Sequence, residues 1–172
     1  IVKKKGRSKV KTFSVPFALG QIKENITINT NTPSTPSKKQ IINQAFKFHS
    51  QGNISEAAKY YQFFINQGFS DPRVFFNYGI ILKDLGNLQD AEISYRKAIK
   101  IKPDYAEAYS NLGNILNDIG KLKEAELSYR KAIKIKPDYA VAHYNLGGIL
   151  IDLGRLQGAE FYTRKAIELK PD

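Results

Sequence analysis

The chain of 172 residues contains no cysteine, methionine or tryptophan. Without cysteine, neither a disulfide framework nor a thiolate metal site can form. The two histidines, His49 and His143, are far apart in the sequence. We therefore expect neither a histidine metal cluster nor a cofactor. We predict that the two histidines are ordinary helix residues. No apolar run approaches the roughly 18 residues that a membrane-spanning helix needs.

Methionine is missing even from position 1, so we expect the sequence to be a fragment or to have a trimmed start. Catalytic motifs are missing too: there is no Gly-rich phosphate loop, no nucleophile elbow, and no histidine paired with a nucleophile. We therefore predict that this chain is not an enzyme. Because it shows no secretion signal, we expect a cytoplasmic location.

The chain does contain a repeat. Thirteen residues from Ser94 to Ala106, SYRKAIKIKPDYA, return from Ser128 to Ala140, at an offset of 34 residues. An identical block at a fixed offset indicates tandem copies of one structural unit. In this register the chain divides into a leader, residues 1–37, and an array, residues 38–172. The array has four copies, of which the first is degenerate: 38–71, 72–105, 106–139 and 140–172.

Each copy is predicted to form two helices. In the third copy we expect the first over residues 105–119 and the second over residues 122–135. A glycine after each first helix is predicted to end it in the left-handed conformation. These glycines are Gly52, Gly86, Gly120 and Gly154.

Caps and small residues complete the predicted helix pair. We expect Asp104 to cap the first helix of the third copy, with Glu107 forming a capping box. In the second copy Asp71 is the predicted N-cap, followed by Pro72 at the first helical position. Small side chains allow close helix packing, and we expect Gly113 to face Ala125.

At these positions the sequence resembles the tetratricopeptide repeat (TPR), a 34-residue helix-turn-helix. The third copy carries the family pattern at Tyr109, Leu112, Gly113, Leu116, Ala125, Tyr129, Ala132 and Pro137. The resemblance implies an all-α fold, a right-handed superhelical solenoid of antiparallel helix pairs in about four units. It also implies a non-catalytic interaction scaffold, whose partner is a protein or an extended peptide held in a groove lined by first helices.

The sixth residue of every copy is asparagine, namely Asn43, Asn77, Asn111 and Asn145. Stacked copies would place these carboxamides in a row, and each offers a donor and an acceptor to a peptide bond. The alternative is that they only bridge adjacent helices. Further groove residues are predicted at Asn114, Asn117, Asp84, Asp118, Asp152 and Tyr144. The residue before the constant asparagine differs between copies, as Phe76, Ser110 and Tyr144. We expect these residues to set ligand specificity.

A narrower resemblance is to the TPR arm of O-linked N-acetylglucosamine transferases. It rests on YSNLGN at residues 109–114 and IKPD at residues 101–104. It implies, as an alternative function, a substrate-recruiting arm of a glycosyltransferase or sulfotransferase-type enzyme. The array stops one residue short of a full repeat, so we expect further repeats, a cap or a catalytic domain after residue 172.

Charge is unevenly distributed in a chain of net charge +11. Residues 1–37 carry seven Lys or Arg against one Glu, and an Asn-, Thr- and Pro-rich tract follows the basic cluster. We predict a disordered basic leader, because such a composition buries little apolar surface. Two interpretations stay open: a solvated tail, or electrostatic attachment to nucleic acid or an anionic membrane surface.

Second helices carry a recurring charge pattern. Glu92, Glu126 and Glu160 each precede an arginine by four residues. This is the favourable direction for an ion pair along a helix. We therefore predict a solvated outer face rather than a nucleic-acid surface.

Overall fold

The computed structural model describes residues 12–13, 26–27 and 36–170. These residues contain eight α-helices and one antiparallel pair of two-residue strands, β1 (Thr12–Phe13) and β2 (Ile26–Thr27). The helices are α1 (Lys38–Ser50), α2 (Ile54–Asn66), α3 (Pro72–Asp84), α4 (Leu88–Ile101), α5 (Ala106–Asp118), α6 (Leu122–Ile135), α7 (Ala140–Asp152) and α8 (Leu156–Leu169). The predicted all-α class is confirmed. The basic cluster and the remainder of the leader, apart from residues 12–13, 26–27 and 36–37, lie outside the described residues.

The chain forms two compact units, residues 1–69 and 70–172. In the first, α1 packs against α2 around the buried side chains of Ile41, Ala45, Tyr61 and Phe64. Ser37 begins α1 with a capping box, because its hydroxyl accepts from Gln40 N at 3.3 Å and Gln40 Oε1 accepts from Ser37 N at 2.8 Å.

The second unit contains three helix pairs, α3–α4, α5–α6 and α7–α8, and each pair packs on the next through α4 against α5 and α6 against α7. Its largest fully buried rings are Tyr95 and Tyr129. A Cβ built on Gly113 would lie 2.6 Å from Tyr129 Cε1. The atoms nearest to this position belong to the ring of Tyr129, one turn further along α6 than the predicted neighbour Ala125.

Helix ends follow the repeat register closely. Gly86, Gly120 and Gly154 have φ of 78°, 77° and 72°, each one residue beyond the C-cap of a first helix, so the predicted stops are confirmed. Helix α6 covers the predicted residues 122–135, and α5 is one residue shorter at each end than predicted. None of the described helices is both long enough and apolar enough to cross a membrane.

The two predicted N-caps have opposite outcomes. Asp71 caps α3 as expected, since its Oδ1 accepts from Arg73 N at 2.9 Å and Pro72 is the first helical residue. Asp104 does not cap α5, whose N-cap is Tyr105 with no side-chain cap. The prediction of a capping box with Glu107 is wrong because Asp104 lies one repeat position earlier than Asp71. There it belongs to the turn that Tyr105 N closes onto Lys102 O.

Candidate peptide-binding site

Three of the four predicted asparagines belong to the second unit. Asn77, Asn111 and Asn145 lie on α3, α5 and α7, each half-buried. Asn43 lies on α1 in the first unit and is exposed. The second unit therefore brings together equivalent carboxamides from three successive first helices.

Asn114 is the centre of the hydrogen bonding on this face. Its Oδ1 accepts from Tyr129 Oη at 2.8 Å and from Asn145 Nδ2 at 2.9 Å. Since Asn145 lies on α7 and Asn114 on α5, the bond joins two adjacent first helices. Asn145 thus acts as a bridge between the third and fourth copies.

The same pair keeps one donor and one acceptor unengaged. None of the hydrogen bonds among the described residues involves Asn114 Nδ2 or Asn145 Oδ1. Both side chains are half-buried, so they remain accessible in part. A free amide donor beside a free carbonyl acceptor complements the two polar groups of a peptide unit.

The second copy has no such bridge, because position nine there is Ile80. The hydroxyl of Tyr95 lies next to Asn111. It is buried, and it makes no hydrogen bond with the described residues. Burial, and next the charge of Asp84, raise the pKa of Tyr95. Burial, and next the charge of Asp118, raise the pKa of Tyr129. Both phenols therefore stay protonated at neutral pH.

The predicted acidic residues mark the ends of the first helices. Asp84, Asp118 and Asp152 are the last residues of α3, α5 and α7, and all three are exposed. The charge of Asp84 raises the pKa of Tyr95, and the charge of Asp118 raises the pKa of Tyr129. Asn117, next to Asp118, is also exposed. The candidate site is therefore polar with an acidic edge.

Position five, beside the constant asparagine, differs in each copy. Phe76 packs on Tyr105 with ring centroids 4.8 Å apart, and Ser110 is buried. Tyr144 is 65% exposed. Of these three residues only Tyr144 offers an exposed ring to a ligand.

Tyr95 and Tyr129 contribute to the site, although the sequence pattern assigned them only to packing. Position 24 of a copy holds each of them, and position eight holds the glycine under each ring. The signal was present in the recurring tyrosine and glycine. Only the structure shows that the hydroxyl of Tyr129 lies next to Asn114, the ninth residue of the same copy.

The outer face contains the predicted ion pairs. Glu92–Arg96, Glu126–Arg130 and Glu160–Arg164 are joined at 2.9, 2.9 and 2.7 Å. These groups also connect adjacent copies. Arg96 pairs with Glu124 at 3.0 Å, and Arg155 donates to both carboxylate oxygens of Glu126 at 2.8 Å. The charges therefore hold successive copies together.

The histidines take structural contacts. His49 Nδ1 lies 2.9 Å from Tyr61 Oη, and His143 Nε2 lies 2.8 Å from Pro137 O. Among the residues that the structure describes, no three His, Asp or Glu side chains are grouped closely enough to hold a metal ion.

Stacked helix pairs with polar first-helix faces define a helical-repeat scaffold. Family models described as "TPR repeat" match residues 79–117 and 113–154, and a "Tetratricopeptide repeat" model matches residues 140–172. Together these matches span residues 79–172, more than half of the chain. The chain belongs to the tetratricopeptide-repeat family, and its fold is that of a TPR-type protein-interaction scaffold.

Solved structures agree with this assignment. A crystal structure of MamA is 22% identical with a TM-score of 0.74, over 78% of this chain and 79% of that one. YrrB, described as a TPR protein with an unusual peptide-binding site, is 21% identical with a TM-score of 0.72, over 79% and 70%. A tetratricopeptide repeat protein from Parabacteroides merdae is 21% identical with a TM-score of 0.69, over 78% and 54%.

Curated protein sequences gave no match. The family and structure matches identify the repeat, and they do not show the narrower resemblance to transferase arms.

Proposed function

We propose that this chain is a non-catalytic scaffold that binds an extended peptide along the first helices of its second unit. The observation that carries the proposal is the Asn114–Asn145 pair. Its internal hydrogen bond fixes both side chains and leaves one amide donor and one carbonyl acceptor unengaged. A binding site whose polar groups are held in place before the ligand arrives loses less entropy on binding.

The recognised feature is the ligand backbone. A peptide unit donating to Asn145 Oδ1 and accepting from Asn114 Nδ2 would satisfy both groups at once. Neighbouring helices are roughly 10 Å apart, and an extended chain rises about 3.3 Å per residue. The carboxamide of the preceding copy, Asn111, would therefore meet the ligand about three residues away.

Side chains around the carboxamides would then set ligand preference. Asp84, Asp118 and Asp152 give an acidic edge, which favours a ligand with basic residues. Tyr144 supplies an exposed ring for an apolar or cationic ligand side chain. The peptide-binding site described for YrrB, a protein of the same fold, supports this class of function.

The test is a peptide array probed with the full chain and with a triple variant, Asn77→Ala, Asn111→Ala and Asn145→Ala. We expect the variant to lose most binding, since each carboxamide contributes one or two backbone hydrogen bonds of about 1 kcal/mol. The matched control replaces three exposed second-helix residues at position 18, Gln89, Lys123 and Gln157, by alanine.

Circular dichroism on both variants separates unfolding from lost recognition. The control variant should bind as the parent chain does. Unchanged binding by a folded asparagine variant would remove the carboxamides from the site.

A further inference from the structure

A cavity lies away from the asparagines, between α4, α5 and α6. Its volume is about 400 Å³, and it is open to solvent. Leu112, Ile99 and Leu127 supply its apolar lining, together with the ring of Tyr109. Arg96, Lys100 and Ser128 supply its polar lining. None of the predicted groove residues lines this cavity.

The next copy repeats four of these seven lining residues. Thirty-four residues on, the seven lining residues become Arg130, Ile133, Lys134, His143, Leu146, Phe161 and Tyr162. Arginine, lysine, isoleucine and the buried leucine are retained, whereas His143 stands in place of Tyr109 and Phe161 in place of Leu127. The small Ser128 is replaced by Tyr162, so the equivalent space in the next copy receives a phenol ring from the chain itself.

The contacts of Tyr162 show what this space accommodates. Arg130 Nη1 donates to Tyr162 Oη at 3.0 Å, and the guanidinium carbon lies 5.5 Å from the ring centroid. The ring of His143 lies 5.8 Å from the same ring. Tyr162 is thus held by a cation above its ring, a charge-assisted hydrogen bond at its hydroxyl and an aromatic neighbour.

Arg96 is prepared for the same contact. Its Nε and Nη2 bond to Glu92, and Nη2 also bonds to Glu124. Arg130 likewise uses Nε and Nη2 for Glu126 and gives Nη1 to the phenol. None of the hydrogen bonds described in the structure uses Nη1 of Arg96. The carboxylates thus anchor the guanidinium and leave one donor available at the cavity.

We propose that this cavity is a binding site for a tyrosine side chain of a partner protein. The ring would lie over Leu112 beside Tyr109, and its hydroxyl would accept from Arg96 Nη1. Leu127 at the rim is 68% exposed and would be covered by the incoming residue. The occupant of the equivalent site, Tyr162, defines this ligand chemistry.

The probe is N-acetyl-L-tyrosinamide, titrated into the ¹⁵N-labelled full chain and followed by NMR. A single side chain should bind in the roughly millimolar range. The backbone amides of Arg96, Tyr109 and Ser128 should shift together with one dissociation constant. N-acetyl-L-phenylalaninamide should bind roughly tenfold more weakly, because it lacks the oxygen that accepts from arginine.

Two reciprocal variants make the test specific. Each gives one of the equivalent positions, 128 and 162, the residue that the other position has in the parent chain. Ser128→Tyr should fill the cavity from within and abolish the shifts. Tyr162→Ser should open a second cavity, so that amides near Arg130 shift as well and the stoichiometry doubles.

Three results would overturn the proposal: no shifts in the parent chain, shifts that persist in a folded Ser128→Tyr variant, or a Tyr162→Ser variant that gains no site. If Ser128→Tyr does not fold, the Tyr162→Ser result decides alone. The triple asparagine variant should still bind the probe, which separates this site from the groove.

Discussion

Replacing Gly113 by alanine tests a close contact between the two helices of the third copy. The added Cβ would lie 2.6 Å from Cε1 and 2.8 Å from Cδ1 and Cζ of Tyr129, whereas ordinary contacts lie at 3.4–4 Å. The ring must therefore move, although it is only 2% exposed and its hydroxyl is fixed on Asn114. We expect the variant to be less stable than the parent chain.

Two opposing effects set the size of the loss. Alanine is favoured over glycine in a helix interior by about 1 kcal/mol. Overpacking of a well-packed core costs about 1–3 kcal/mol, and contact with three atoms of a buried ring places Gly113→Ala near the upper end. The net destabilisation should be about 1–2 kcal/mol.

The chain provides graded controls on α7. Gly148 has open space around its Cβ position, so Gly148→Ala should stabilise by up to about 1 kcal/mol. At Gly147 the Cβ would meet Thr163 Oγ1, the end of a short side chain that can rotate. Gly147→Ala should therefore lie between the other two, since a rotamer change costs roughly 0.5–1.5 kcal/mol.

Urea unfolding followed by circular dichroism at 222 nm measures the series. With a slope of roughly 1–3 kcal/mol per molar urea, the midpoints of Gly113→Ala and Gly148→Ala should differ by roughly 1 M. A Gly113→Ala variant as stable as Gly148→Ala would refute the argument from ring contact.

Three further predictions concern charges and caps. Glu126→Gln should lower the unfolding free energy by about 1–2 kcal/mol, because this buried carboxylate accepts from two arginines of adjacent copies. Glu160→Gln, in a pair exposed at 63% and 75%, should change it by less than about 0.5 kcal/mol in the same urea assay. Burial opposes ionisation of Glu92, but hydrogen bonds from its cationic partners hold its pKa below the usual range. Its contribution is therefore present above the unfolded-state pKa and is lost as the pH falls through the folded-state pKa. Melting temperatures between pH 6 and pH 3 should fall less steeply for Glu92→Gln than for the parent; parallel curves would count against the charge network. Asp71→Ala should cost about 1 kcal/mol as a lost N-cap, whereas Asp104→Ala should be nearly neutral, and equal losses would contradict the assigned caps.

The helix pairs could be predicted because the repeat fixes their register. Gly86, Gly120 and Gly154 recur at the same offset, and α6 begins and ends at the predicted residues. The prediction at Asp104 was wrong because a one-residue difference in register decides whether an aspartate is a cap. The sequence shows an aspartate near the start of α3 and of α5. Only the backbone shows that Asp71 is an N-cap and Asp104 is not.

The candidate site was less predictable than the fold, because its chemistry depends on a position that varies between copies. Position nine is Ile80, Asn114 and Gly148 in the second, third and fourth copies. Only Asn114 can receive the carboxamide of the following copy. The row of constant asparagines could therefore be found from the sequence, but not which of them also bridges two helices.

The bridging role of Asn145 and its proposed role as a ligand contact are compatible, because a carboxamide has separate donor and acceptor groups. Its Nδ2 is used between helices, and its Oδ1 is not. The outer face follows the same principle, since Arg96 uses Nε and Nη2 for carboxylates and keeps Nη1 for the cavity. In both places contacts between copies orient a side chain, and a group that those contacts do not use is the one offered to a ligand. Residues that hold the array together are therefore also the residues that we expect to bind its partners.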